Sequence, residues 1–206
     1  NSTLSKASRL AIFSNTNSNM TLKVTASNFL DTRTLPDVTT LNANGQSGLL
    51  FQGMGTSVMS LDVKSNCNFL RIGTQGVNVL GEGSAVINAD VLNSIFNATN
   101  ATLPAGEDVG LGILMENTGT SVIKFNIKNN TITGRGGNLI GLGTLPGSTA
   151  KMEGTVENNI INYNFVSSVS NNAGYGINYN HISGNTDSRV KITGNTLSNF
   201  NADGTL

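Results

Sequence analysis

A short phrase returns six times along this 206-residue chain: a Gly or other small residue, apolar positions two apart, a short polar residue, and one more apolar residue. Four of the copies read GTSVMSLDVKSN (Gly55 to Asn66), GTSVIKFNIKNNTI (Gly119 to Ile132), STAKMEGTVENNII (Ser148 to Ile161) and GNTDSRVKITGNTL (Gly184 to Leu197). Anchored on the last apolar residue of the central run, the copies align at Val24, Val63, Val91, Ile127, Val156 and Ile192. Two residues earlier stand Leu22, Leu61, Ala89, Phe125, Gly154 and Val190, and four earlier Met20, Met59, Ile87, Ile123, Met152 and Ser188. Alternation of this period is the signature of strand, and it places one side of each run in a core.

The flanking columns set the corners. Ser27, Asn66, Ser94, Asn130, Asn159 and Asn195 follow the anchors by three, and short polar side chains there predict a stacked ladder that holds a turn by bonding backbone. Five after the anchor come Phe29, Phe96, Ile132, Ile161 and Leu197, with Phe69 displaced by one as a bulge would displace it. Eight before it, Thr16, Gly55, Gly83, Gly119, Ser148 and Gly184 predict positions tolerant of positive φ. A further apolar run precedes each of these turns, from Leu10 to Phe13, Leu49 to Phe51, Val77 to Leu80, Leu111 to Met115, Leu139 to Leu142 and Tyr175 to Tyr179.

Three short strands per copy cannot bury their own apolar side, so the core must lie between stacked copies. The reading is an all-β, single-stranded parallel β-helix (solenoid) of about six rungs, right-handed because parallel crossovers overwhelmingly are. No linker interrupts the repeat, so residues 1–206 are read as one domain, expected to be excised from a longer repeat protein with further rungs, a cap or a partner at its open end. The absence of an initiator Met and the unfinished phrase Gly204-Thr205-Leu206 motivate that expectation.

Twelve basic and twelve acidic residues leave no basic stripe for nucleic acid or an anionic membrane. No apolar stretch approaches the roughly 18 residues of a membrane span. Cys67, the only cysteine, precludes an intrachain disulfide and is expected to be a packed thiol.

The phrases IKNNTITGRG, VENNIINYN and ITGNTLSNF resemble right-handed parallel β-helix repeats of the pectate-lyase-like superfamily, most of all the rungs of large secreted bacterial surface or autotransporter-like proteins. The resemblance implies the fold and a secreted or cell-surface location. It leaves function open, because that superfamily includes polysaccharide lyases, hydrolases, tailspikes, adhesins and inert stalks.

Enzymes on such a fold gather carboxylates on one strand face. The outward columns here read Thr21, Ser60, Asn88, Lys124, Glu153, Arg189; then Lys23, Asp62, Asp90, Asn126, Thr155, Lys191; then Thr25, Lys64, Leu92, Lys128, Glu157, Thr193. Most charges have an opposite neighbour, as in Lys124–Glu153–Arg189, Lys128–Glu157 and Lys23–Asp62, which is the pattern of a solvated mixed-charge face. Asp62 beside Asp90 is the exception and the weak candidate for a catalytic or Ca2+ site. No third acid joins them in the columns, so no cofactor and no metal is assigned. His181, the sole histidine, is read as a turn residue without triad or zinc partners.

Long linkers after the third strand of the first, third and fifth rungs would build a crest along one edge, the candidate recognition surface. It offers Asp31, Arg33, Asp37, Glu107, Asp108, Tyr163 and Phe165 to a polysaccharide or cell-surface glycan. The expected function is a non-catalytic extracellular stalk or adhesin segment, with end-to-end self-association as a further possibility. The alternative is a polysaccharide-active enzyme or carbohydrate-binding module.

Overall fold

A computed structural model describes residues 2–5, 11–30, 47–72, 75–97, 111–134, 138–163, 175–181 and 188–199. They form nineteen strands in three parallel sheets and no helix. Sheet B stacks β2 (Ala11–Thr16), β5 (Leu49–Met54), β8 (Gln75–Gly81), β11 (Leu111–Asn117), β14 (Ile140–Thr144) and β17 (Ile177–His181). Sheet C stacks β3 (Asn19–Thr25), β6 (Val58–Lys64), β9 (Val86–Leu92), β12 (Val122–Lys128), β15 (Lys151–Glu157) and β18 (Arg189–Thr193). Sheet A carries the short strands β1 (Thr3–Ser5), β4 (Asn28–Leu30), β7 (Asn68–Leu70), β10 (Ile95–Asn97), β13 (Thr131–Gly134), β16 (Ile160–Tyr163) and β19 (Thr196–Ser198). Each rung runs from B through C to A, which is a parallel β-helix of six rungs. The repeat did not call β1, an extra sheet A strand that lies ahead of the first complete rung.

The anchor columns are the register. Val24, Val63, Val91, Ile127, Val156 and Ile192 lie opposite one another in sequence along sheet C. Leu4, Phe29, Phe69, Phe96, Ile132, Ile161 and Leu197 do so along sheet A. From the second rung to the fifth these inward residues are almost wholly enclosed. Phe29, Phe69 and Phe96 stack with ring centroids 4.6 and 4.7 Å apart, so the rings repeat at the spacing of the strands that carry them. Phe69→Leu keeps most of the volume but breaks both ring pairs; a loss of about 1 to 2 kcal/mol is expected in urea unfolding.

Two corner assignments shift by one residue. In the second rung the turn holds an extra residue, with Ser65 and Asn66 both at φ 62°. Cys67 therefore occupies the ladder position assigned to Asn66, and Asn66 is exposed. Cys67 Sγ donates to the Lys64 carbonyl at 3.3 Å, as Ser27 Oγ donates to Thr25 at 2.9 Å and Ser94 Oγ to Leu92 at 3.0 Å. The bulge inferred from Phe69 is real and lies before Cys67. At the corner between sheets B and C, positive φ falls on Asn17, Gly55, Gly83, Gly119 and Gly147 rather than on Thr16 or Ser148. From the positive-φ residue to the following strand the first of these turns is one residue shorter than the Gly55 turn and the fifth one longer, which is why fixed counting missed both. Gly119 is held by crowding as well as by its φ, since a Cβ there would lie 2.6 Å from the Gly83 carbonyl oxygen.

The ladder exists in two forms. Ser27, Cys67 and Ser94 turn back onto carbonyls of their own corner, and Cys67 Sγ also lies 3.4 Å from the Val24 carbonyl of the rung before. Asn130, Asn159 and Asn195 reach across rungs: Asn130 Oδ1 accepts from the Ser94 N–H at 3.0 Å, Asn159 Oδ1 from the Asn130 N–H at 2.9 Å, and Asn195 Oδ1 from the Asn159 N–H at 2.9 Å. Their Nδ2 atoms donate to the carbonyls of Val91, Ile127 and Val156. The residue just before the ladder takes the left-handed conformation, at Ala26, Asn93, Asn129, Asn158 and Gly194. The doubled asparagines 129–130 and 158–159 thus divide two tasks, backbone reversal and cross-rung bonding.

Candidate functional site

Alternation in β6 and β9 turns Asp62 and Asp90 to the outside of sheet C, and their register makes them direct neighbours. Each has one carboxylate oxygen engaged by its own surroundings, while Asp62 Oδ1 is buried without a hydrogen-bond partner. Lys64, two residues along the same strand, pairs with Asp62 Oδ2. Asn126 Nδ2 donates to Asp90 Oδ1 at 2.8 Å, and Thr155 Oγ1 donates to Asn126 Oδ1 at 3.0 Å, so the polar chain continues across three rungs. The cation of Asp62 is therefore Lys64, two residues along the same face of its own strand, and not the expected Lys23, its register neighbour in β3. Lys128 and Glu157 pair across rungs at 2.9 Å as expected, and the ammonium holds the Glu157 carboxyl below its ordinary range. Among the described residues no group of three or more His, Cys, Asp or Glu comes together to hold a metal ion.

Of the crest residues, Asp31, Arg33, Asp37, Glu107, Asp108 and Phe165 lie outside the described residues. Tyr163 does not stand on a crest: it ends β16 at 3% exposure, packed within the core cluster. Its position in the sheet A strand, two residues past the inward Ile161 and so on the same face, explains the difference. His181 ends strand β17 rather than lying on a turn; its Nδ1 is 2.9 Å from Thr144 Oγ1, and its ring stacks near Tyr179. Cys67 is buried, as expected of a packed thiol.

The repeat columns passed over the outer face of sheet B. Asn78 sits between Val77 and Val79, both core residues, so its side chain leaves the sheet on the opposite side, with Leu50 and Leu114 as its neighbours in register. It is nonetheless 0% exposed, and neither Oδ1 nor Nδ2 has a hydrogen-bond partner. An enclosed amide with its donors and acceptor unused costs free energy, on the order of 1–3 kcal/mol for such a group. The adjoining column runs Gln52, Leu80, Glu116, Gly143, Asn180. Gln52 Nε2 donates to Glu82 Oε1 at 2.8 Å. Burial raises the Glu116 carboxyl above its ordinary value, since a charged carboxylate there loses water. The face thus combines apolar walls, an amide with spare hydrogen-bonding capacity and an acid that keeps its proton longer than usual. A polar residue set into the apolar strand VNVL was the available sequence signal.

Glu116 gives a pH prediction. The folded chain holds this proton where the unfolded chain has lost it, so its contribution to stability is full below the unfolded value near 4.5 and is lost as pH rises through the folded value. Glu116→Gln should flatten that decline, raising the melting temperature at neutral pH and leaving it unchanged below pH 4.5, as thermal melts across pH would record.

Searches against protein-family models, curated proteins and solved structures found no match to this chain.

Proposed function

We propose that this chain is a non-catalytic segment of an extracellular β-solenoid, a rigid stalk or adhesin element of the pectate-lyase-like superfamily kind, working on or outside a cell surface. The carrying observation is the fate of the outward acids. Asp62 is paired within its own strand by Lys64, and Asp90 and Glu157 are partnered across rungs by Asn126 and Lys128, so the outward acids of sheet C are engaged one by one by neighbours rather than gathered into a cluster. A rod with an unbroken register in three sheets is suited to holding other surfaces at a distance. The test is to incubate the protein with acidic and neutral polysaccharides and look for released oligosaccharides by mass spectrometry. No products are expected; products that vanish in Asp62→Asn or Asp90→Asn would overturn the reading.

A second reading has its own support in sheet B. Glu116, with its raised carboxyl, and the enclosed amide of Asn78 are the types of group that carbohydrate-active and carbohydrate-binding sites use, the first for proton donation and the second for sugar hydroxyls. Products in the same assay that survive both Asp substitutions and disappear in Glu116→Gln would favour this alternative.

A further inference from the structure

The outer faces of sheets A and C differ in charge. Every strand of sheet C carries at least one charged residue, from Lys23 in β3 to Arg189 and Lys191 in β18. No residue of the seven sheet A strands is charged. Because Phe29, Phe69, Phe96, Ile132 and Ile161 point inward, the residues on either side of them point outward. One outward column runs Asn28, Asn68, Ile95, Thr131, Ile160, and the other Leu30, Leu70, Asn97, Thr133, Asn162. These residues belong to β4, β7, β10, β13 and β16, each of which has a strand on both sides, so their exposure comes from facing outward and not from an end of the rod. Ile95 is 43% exposed and Ile160 54%, with Thr131 exposed between them.

The face is also flat and stiff. Neighbouring strands of an ordinary sheet are rotated by about 20–25°. The Phe29, Phe69 and Phe96 rings, on the underside of these same strands, are inclined to one another by only 7° and 1°. Ile95, Thr131, Thr133 and Ile160 are β-branched and restricted at χ1, and Asn68 Nδ2 donates to Asn28 Oδ1 at 2.8 Å. Hydroxyl, amide and methyl groups therefore repeat about 4.8 Å apart from rung to rung and about 6.6 Å apart between i and i+2 along a strand.

Area and charge select the partner. A stable protein–protein contact takes about 800 Å² from each side, whereas five strands of three outward-to-outward residues span about 24 by 10 Å, roughly 240 Å². A flat polysaccharide surface is typically gripped by aromatic rings, and none faces outward in these two columns. Ice is an uncharged, rigid array of hydrogen-bonding oxygens whose prism planes repeat at spacings close to both of those above. Charged side chains keep their own hydration shells and fit no site of such a lattice. Short hydroxyls and methyl groups do fit, and an array already held in place loses little freedom on contact. We propose that the outer face of sheet A from β4 to β16 is an ice-binding surface, with the hydroxyls of Thr131 and Thr133 taking lattice positions and Ile95 and Ile160 excluding liquid water beside them. A longer rod would lengthen this face without altering it. The inference needs the rod but not its non-catalytic reading.

The test uses the full chain and ice itself. Protein is held against a slowly growing ice hemisphere and its share in ice and in liquid is measured, with thermal hysteresis as a second readout. The unaltered protein is expected in the ice fraction, and an inert protein of similar size in the liquid. Thr131→Lys and Ile160→Lys, both at exposed positions, should match the parent in circular dichroism and thermal melt. Each should nonetheless lower the ice-bound share about tenfold, because it sets an unpaired charge against the lattice. Thr21→Lys, exposed on the outer face of sheet C, should bind ice as the parent does. An unaltered protein left in the liquid, folded Lys variants that still bind, or an equal loss in Thr21→Lys would each overturn the proposal. So would self-association in sedimentation velocity, or retention on crystalline cellulose or chitin, that Thr131→Lys abolishes, since the face would then belong to a second copy or to a polysaccharide. Polysaccharide cleavage would overturn the stalk reading and leave this one standing.

Discussion

Gly154→Val is expected to cost about 3 kcal/mol or more, and to lower the melting temperature by roughly 6–12 °C, in a chain whose backbone at that point any residue could adopt. Gly154 is not among the residues at positive φ, so its need is for space alone. A Cβ there would lie 2.2 Å from the Phe125 carbonyl oxygen and 2.7 and 2.8 Å from the Phe125 ring. Phe125 lies between Ala89 and Gly154 in register, the largest residue of the column flanked by the two smallest. The pitch of the rod leaves no slack, since adjoining strands are fixed about 4.8 Å apart by their hydrogen bonds. A valine must therefore push the fourth and fifth rungs apart or turn Phe125 out of the core, and either breaks cross-rung bonding in sheet C. Gly143→Ala is the matched control. It also lies within a sheet, yet a Cβ there would find nothing nearer than 3.8 Å, so its thermal melt should be indistinguishable from that of the parent.

The fold was legible because inward residues repeat in columns, and columns survive changes in loop length. Val24 to Ile192 needed only a period of two and an anchor. Corners were less legible for a definite reason: the distance of the key corner residue from the anchor varies by one, and counting from the anchor then selects a neighbour, Asn66 for Cys67 or Ser148 for Gly147. The chemistry of the two ladder residues could not correct the error, since a thiol and an amide both fit a turn. Asn78 was hidden differently. Its neighbours in sequence are core valines and its neighbours in register are leucines, so it reads as one polar lapse in an apolar strand until its burial on the far side of the sheet is known. Tyr163 was placed outside because it borders a long linker, although strand parity at Ile161 already assigns it inward. Whether Asp62 kept Lys23 or Lys64 was a choice between two cations within reach, and columns alone cannot make it.

Asn159→Ala should be the most damaging loss of a polar side chain in the rod, about 3–5 kcal/mol by denaturant unfolding. Asn159 is fully buried and makes four cross-rung bonds: Oδ1 accepts from the N–H and Nδ2 of Asn130 at 2.9 and 3.0 Å, and Nδ2 donates to the Ile127 carbonyl and to Asn195 Oδ1, both at 2.9 Å. Alanine leaves the Asn130 N–H and the Ile127 carbonyl enclosed without that partner, and each carries its desolvation cost unrepaid. Asn195→Ala removes the same chemistry from the last rung, where the side chain is only partly buried and water can serve the orphaned groups, so about 1 kcal/mol is expected. Asn159→Ser separates the two forms of the ladder. A hydroxyl can turn back onto its own corner as Ser94 does, but it cannot reach the Asn130 N–H, so the loss should fall between the two alanine variants. If Asn159→Ser were as stable as the parent, the cross-rung bonds would contribute nothing beyond what a turn residue supplies, and the rungs would be held by their apolar columns alone.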